Sequence, residues 1–226
     1  MDSDGVWRSI DQERARLADL FEDLTTDEWR TQSLCTAWTV RDVAAHLTLA
    51  QIGLRVALPA FVKARGSFDG MIRDTGIRQA KLPVGEYPGL LRAMIGSRRT
   101  APFITEREPL IDVLVHAQDM ARPLGRSYAM PIEPAMEAAN RVWGMSFPFR
   151  ARRRLAGREL IATDAAWRAG SGARVEGPMA SLLLLLTGRP AALADLSGPG
   201  TVNLATTFAP PLNSSTWGMA AEGRRP

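Results

Sequence analysis

Cysteine is nearly missing from this chain: Cys35 is the single one in 226 residues. One thiol excludes an internal disulfide and any metal site made of clustered cysteines. Histidine is almost as scarce, with only His46 and His116. Lysine is rare too. Of the 28 basic residues only Lys63 and Lys81 are lysines, and the arginines are scattered among 24 acids. The net charge of +4 and pI near 9.9 therefore do not mark a nucleic-acid binder. The one dense cluster, Arg150, Arg152, Arg153 and Arg154, reads as a solvated helix end. Long apolar runs are absent as well. The five leucines at 182–186 fall far short of the roughly 20 residues a membrane helix needs. Met1-Asp2-Ser3-Asp4 is acidic and no apolar stretch follows it, unlike a secretory signal. A cytoplasmic location is expected.

What is present is the composition of a globular protein, 46% hydrophobic and 23% charged. At roughly 100–200 residues per domain, the length allows one domain or one with a small extra module. The first 150 residues read as helices. Ser3 or Asp4 is placed to cap a helix running to Leu24, with Ile10, Leu17, Leu20, Phe21 and Leu24 on one stripe. Thr39 and Asp42 have capping-box spacing, opening a helix that continues to Pro59, where proline ends or kinks it. Further helices are expected over 66–83, 88–98, 105–121 and 131–147. After Arg154 the pattern changes: a strand over 159–163, strand and turn over 167–175, a leucine-rich helix opened by Pro178, and a last helical turn to Leu196. The expected organisation is a helical bundle over 1–150, a small α+β module over 151–200 and a loosely ordered tail over 201–226.

The two histidines carry the chemistry of this sequence. On the 105–121 helix, Asp112, His116 and Asp119 fall within about 60° of one another at helical spacing. Val113, Leu114, Val115, Ala117 and Met120 flank them. An ordinary amphipathic helix has one broad polar face. A narrow ionisable stripe between apolar edges must instead be satisfied in the interior, by partners or by a metal. His46 sits among Val40, Val43, Ala44, Ala45, Leu47 and Leu49. It needs a partner from another helix, and Asp112/His116 is available. Two imidazoles and one carboxylate make a three-ligand set with an open fourth position, the arrangement of catalytic zinc. A buried Asp112–His116 ion pair with His46 packed beside it explains the spacing equally well. Cys35 reads as a small loop residue with no base beside it in sequence, Gln118 as solvent-facing, and Trp29 and Trp38 as packing anchors.

Three segments resemble a known family. They are Leu24-Thr25-Thr26-Asp27-Glu28-Trp29 with Ser33-Leu34-Cys35-Thr36-Ala37-Trp38-Thr39-Val40-Arg41-Asp42-Val43-Ala44-Ala45-His46-Leu47; Leu114-Val115-His116-Ala117-Gln118-Asp119-Met120-Ala121-Arg122-Pro123-Leu124-Gly125; and Leu183 to Gly188 with Arg189-Pro190-Ala191-Ala192-Leu193 and Leu196-Ser197-Gly198-Pro199-Gly200. They are similar to mycothiol-dependent maleylpyruvate isomerase-like proteins of the DinB-like metalloenzyme superfamily. The resemblance implies a mainly α fold, a DinB-like four-helix bundle with a small α+β C-terminal module. It implies a divalent metal, usually zinc, at His46, Asp112 and His116; Asp119, by the general chemistry of such sites, is at best a partner that orients an imidazole behind them. The family isomerase carries the longer glutamate where this chain has Asp112.

The resemblance also implies mycothiol as cofactor, its thiol made nucleophilic at the metal, and an electrophilic small-molecule substrate. Addition to a conjugated cis double bond, rotation and elimination would give isomerisation; addition to another electrophile would give transfer. Two further readings stand beside it, a non-catalytic binding or regulatory bundle and a metal-dependent hydrolase that needs no thiol. No nucleic-acid or membrane partner is expected, and a homodimer is compatible with the sequence.

Overall fold

A computed structural model describes residues 1–49, 82–100 and 104–208. Helix α1 spans Ser3–Glu22 and buries Val6, Ile10, Leu17 and Phe21. Its cap is Asp2, not Ser3 or Asp4. Asp2 holds the last extended backbone before the helix, and its carboxylate accepts from the Gly5 amide at 2.7 Å. The 3-10 turn Glu28–Arg30 then brings Trp29 inside. Its ring lies 5.4 Å from Phe21 and 5.7 Å from Tyr87, the packing role expected of it.

Helix α2, Val40–Leu47, starts at the expected capping box: Asp42 accepts from the Thr39 amide, and Thr39 from the Asp42 amide. It ends at Leu47, short of the expected run. The residues from 50 to Pro59, and nearly all of the expected helix over 66–83, lie outside the described residues. Helix α3, Tyr87–Ala93, also stops early. The chain turns at Gly96, which adopts φ +79, a left-handed conformation that suits glycine. Helix α4, Arg107–Ala121, and helix α5, Ile132–Gly144, fall within the expected spans. A short helix α6 covers Ala151–Arg154.

Strands β1 (Arg158–Ala162), β2 (Arg168–Gly170) and β3 (Ala173–Gly177) form a sheet in the order β2-β1-β3. The β1–β2 pair is antiparallel and β1–β3 parallel. Pro178 precedes helix α7, Met179–Leu186, whose five leucines are all fully buried. A 3-10 helix, Pro190–Asp195, and helix α8, Leu204–Phe208, follow. The fold is mainly α with a small C-terminal sheet, as the sequence predicts. No helix among the described residues is long and apolar enough to cross a membrane.

Packing places α4 at the centre. Helices α1, α2 and α5 all lie against it, α3 lies against α1, and α7 covers α5. From Pro109 to Ala121 every residue of α4 is buried except Asp112. A polar side chain on this helix therefore points either into the core or into a cavity.

Candidate metal centre

Helices α2 and α4 bring the two histidines together. Their rings meet edge to face, with centroids 5.1 Å apart. Asp112 lies one turn before His116 on α4, on the same face. One ligand atom from each of His46, Asp112 and His116 falls within 4.8 Å of the others. His116 makes its ion pair with Asp119, at 2.8 Å, so the alternative in which His116 pairs with Asp112 is not the arrangement found. Among the described residues, neither the His46 nor the Asp112 side chain has a hydrogen-bond partner, while the His46 carbonyl accepts from the Leu49 amide at 2.9 Å. The three groups face a cavity of about 290 Å³.

Behind the histidines, Asp119 is fully buried and takes four contacts. His116 Nδ1 is 2.8 Å from Oδ2, and Cys35 Sγ is 3.1 Å from the same oxygen. Arg189 donates from Nε to Oδ1 at 3.1 Å and from Nη2 to Oδ2 at 2.8 Å. This two-point fork is the strong geometry for an arginine–carboxylate pair. Nδ1 of His116 is thereby engaged, leaving Nε2 as the nitrogen available to an ion.

The charges follow from this wiring. Burial would lower the pKa of His116, but its bonds to Asp119 and Cys35 and their charge outweigh it and take it up to about 10. Burial also raises Asp119, yet His116 and Arg189 together hold it well below the usual carboxylate range. For Asp112 burial wins: it raises the carboxyl further than the nearby charges of His116 and Arg189 lower it. His46 is pushed down to about 3 by burial and by the charge of His116, so at neutral pH it keeps a nitrogen lone pair. Two imidazoles and a carboxylate on two packed helices fit a divalent ion, and the donor set is one that zinc accepts.

Cys35, His116 and Asp119 form a second close group of potential ligands. There the guanidinium of Arg189 already occupies both oxygens of Asp119 and stands 3.8 Å from Cys35 Sγ. That position is held by a protein cation.

Sequence reasoning missed three parts of this site. Cys35 is wired to α4 and is not merely a loop filler; its partners His116 and Asp119 stand far away in sequence. Arg189 reads in the sequence only as part of the stop after α7, yet it lines the cavity with Phe149. Trp38, expected only to pack, lines the cavity beside His46, 5.3 Å between ring centroids. Gln118 is buried and not solvent-facing: Nε2 donates to the Tyr128 carbonyl at 2.7 Å, and Oε1 accepts from Arg122. The signal for Cys35 and Arg189 was their place in the recognisable segments, since neither belongs to a periodic pattern.

Residues 10–121 match the mycothiol maleylpyruvate isomerase N-terminal domain family. Among solved structures the chain is similar to the crystal structure of the mycothiol-dependent maleylpyruvate isomerase, with 14% identity, 88% of this chain and 93% of that chain covered, and a TM-score of 0.61. A histidine-to-alanine mutant of that isomerase matches with the same coverage and TM-score at 13% identity. At this identity the likeness is one of fold. No curated protein matches the sequence.

Proposed function

Since the chain belongs, through residues 10–121, to the mycothiol maleylpyruvate isomerase N-terminal domain family, we propose that it is a metal-dependent, mycothiol-using enzyme that activates a thiol for isomerisation of, or transfer to, an electrophilic small molecule. The observation that carries this reading is the convergence of His46, Asp112 and His116 on one cavity. When bound there, a divalent ion, zinc by this donor set, supplies Lewis acidity that favours the thiolate form of a thiol beside it.

The chain's own residues do the rest. His46 is neutral and presents a lone pair without first losing a proton. His116 must release the proton on Nε2 to become a ligand, while Asp119 keeps hold of the Nδ1 proton. Asp112 adds the one negative charge of the set. Trp38, Ile111, Val115 and Phe149 supply the apolar walls of the cavity. Such walls limit water around a reactive thiolate and strengthen the local electrostatics. We place the protein in the cytoplasm, where a low-molecular-weight thiol is kept reduced.

Metal analysis of the purified chain, followed by thiol titration of its Co²⁺ form, tests the proposal. Expected are one divalent ion per chain and a new sulfur-to-metal absorption band in the near ultraviolet on adding mycothiol. A chain that takes up no ion under metal-replete conditions overturns it. So does a Co²⁺ spectrum unchanged at saturating thiol.

A further inference from the structure

The ion site described so far uses only α2 and α4, yet one residue behind it comes from far along the chain. Arg189 follows α7 in a segment held by Thr187 and Gly188, and its Nη1 donates to the Thr187 carbonyl at 2.8 Å. Its Nε and Nη2 grip both oxygens of Asp119. Asp119 in turn engages His116 Nδ1. A continuous series of hydrogen bonds thus runs from the C-terminal segment to the face of α4 that bears the site. We propose that Arg189 is a positioning residue for the metal centre: by fixing the Asp119 carboxylate at two points it sets the orientation and tautomer of His116, so that the C-terminal segment completes the site. The inference rests on the ion-site reading above.

The physical case is geometric. A buried carboxylate held at one oxygen can still rotate about its last torsion. A fork on both oxygens removes that freedom and leaves Oδ2 aimed at Nδ1. Partners behind a metal-bound histidine that fix its ring typically affect metal affinity 10–100-fold. Binding and docking are also reciprocal. If Arg189 helps the ion bind, the ion must help hold the segment that carries Arg189.

Zn²⁺ affinity of the full chain is measured by competition with a chromophoric chelator, alongside circular dichroism and melting temperature. Arg189→Met should lose roughly 10–100-fold in affinity. Arg189→Lys keeps the buried charge, and with it the fold, but reaches one oxygen; its affinity should fall between the two. In an Asp119→Asn background, adding Arg189→Met should cost no further affinity, since the arginine acts through that carboxylate. Amide exchange across 187–195 should slow on adding Zn²⁺ to the wild type, and not in Arg189→Lys to the same extent. Wild-type Zn²⁺ affinity in any folded Arg189 variant overturns the inference, as does exchange across 187–195 that ignores Zn²⁺. If instead the wild type binds no Zn²⁺, or binds it undiminished in His46→Ala, the ion-site reading itself has failed.

Discussion

His46 and His116 stand edge to face, and the proposed centre depends on both. His46→Ala and His116→Ala should each abolish tight Zn²⁺ binding, because two remaining ligands do not make a tight open site. Far-ultraviolet circular dichroism should stay close to wild type, since the core beneath the site is built from other side chains. Full metal stoichiometry in either variant would show that the ligands are misassigned. Asp112 separates two roles. As a ligand, Asp112→Asn replaces an anionic oxygen by a neutral one and should weaken Zn²⁺ by an order of magnitude or more, while Asp112→Glu should be tolerated. As half of a buried ion pair, its loss would cost about 3–5 kcal/mol. The structure pairs His116 with Asp119 instead, so the melting temperature of ion-free Asp112→Asn should not drop. A sharp drop with normal metal affinity would reverse the assignment. These three residues were legible in the sequence because histidine is scarce and the helical period puts Asp112 and His116 on one face. Cys35 and Arg189 were not, since loops have no period from which a contact can be read.

The helices that carry the site are held by local devices that can be tested one at a time. The capping box fixes where α2 begins, and thus the turn on which His46 projects. Thr39→Ala removes its acceptor and should cost about 1 kcal/mol, a fall in melting temperature of roughly 2–4 °C for a chain of this size. Thr39→Ser should recover most of it. The leucines of α7 lie fully buried against α5 and the sheet module. Leu184→Ala should cost about 2–5 kcal/mol by opening a cavity, read as a shift of the urea midpoint. The loop before α2 is tied to the turn after α4 by Glu28, which accepts from Arg126 at 2.8 Å and from the Thr25 amide. Arg126, then Thr25, lowers the Glu28 pKa from 4.5 to about 2. A depressed carboxyl contributes stability that is fully present above its unfolded value and is lost as pH falls through its folded value. Glu28→Gln should therefore flatten the fall in stability between pH 4.5 and about 2, while changing its shape little at neutral pH. An unchanged acid limb would remove Glu28 from the acid response. At this scale the sequence predicted the identity of most elements but misplaced several ends. Asp2 took the cap from Ser3 and Asp4, and α3 stopped before a left-handed glycine. Both outcomes depend on backbone angles that composition does not encode.

For the whole molecule, ligand binding and folding share one equilibrium. A ligand that binds only the folded chain at 100 times its Kd adds about 2.7 kcal/mol of stability, or roughly 5–10 °C in melting temperature for this size. Zn²⁺ should raise the melting temperature of the wild type by that order, a chelator should reverse the rise, and His46→Ala should show neither. A shift of equal size in His46→Ala would mean that the ion acts elsewhere. The structure's burial pattern explains why the response should be global. One cluster of buried side chains runs from Val6 on α1 through α4 to Leu182–Leu186 on α7 and Leu204 on α8, so the site cannot loosen without disturbing the common core. The sequence by itself determined a mainly α chain with a small C-terminal sheet. It also determined a helix with Asp112, His116 and Asp119 on one narrow stripe, and a capped helix bearing His46. These follow from periodicity and capping, which act over a few residues. Only the tertiary structure decided that His116 pairs with Asp119 and not Asp112, that Cys35 joins them, and that Arg189 reaches Asp119 from 70 residues away. Those contacts arise when separate elements pack, and side-chain direction across a packed interface is set by burial and hydrogen bonding that no local pattern records.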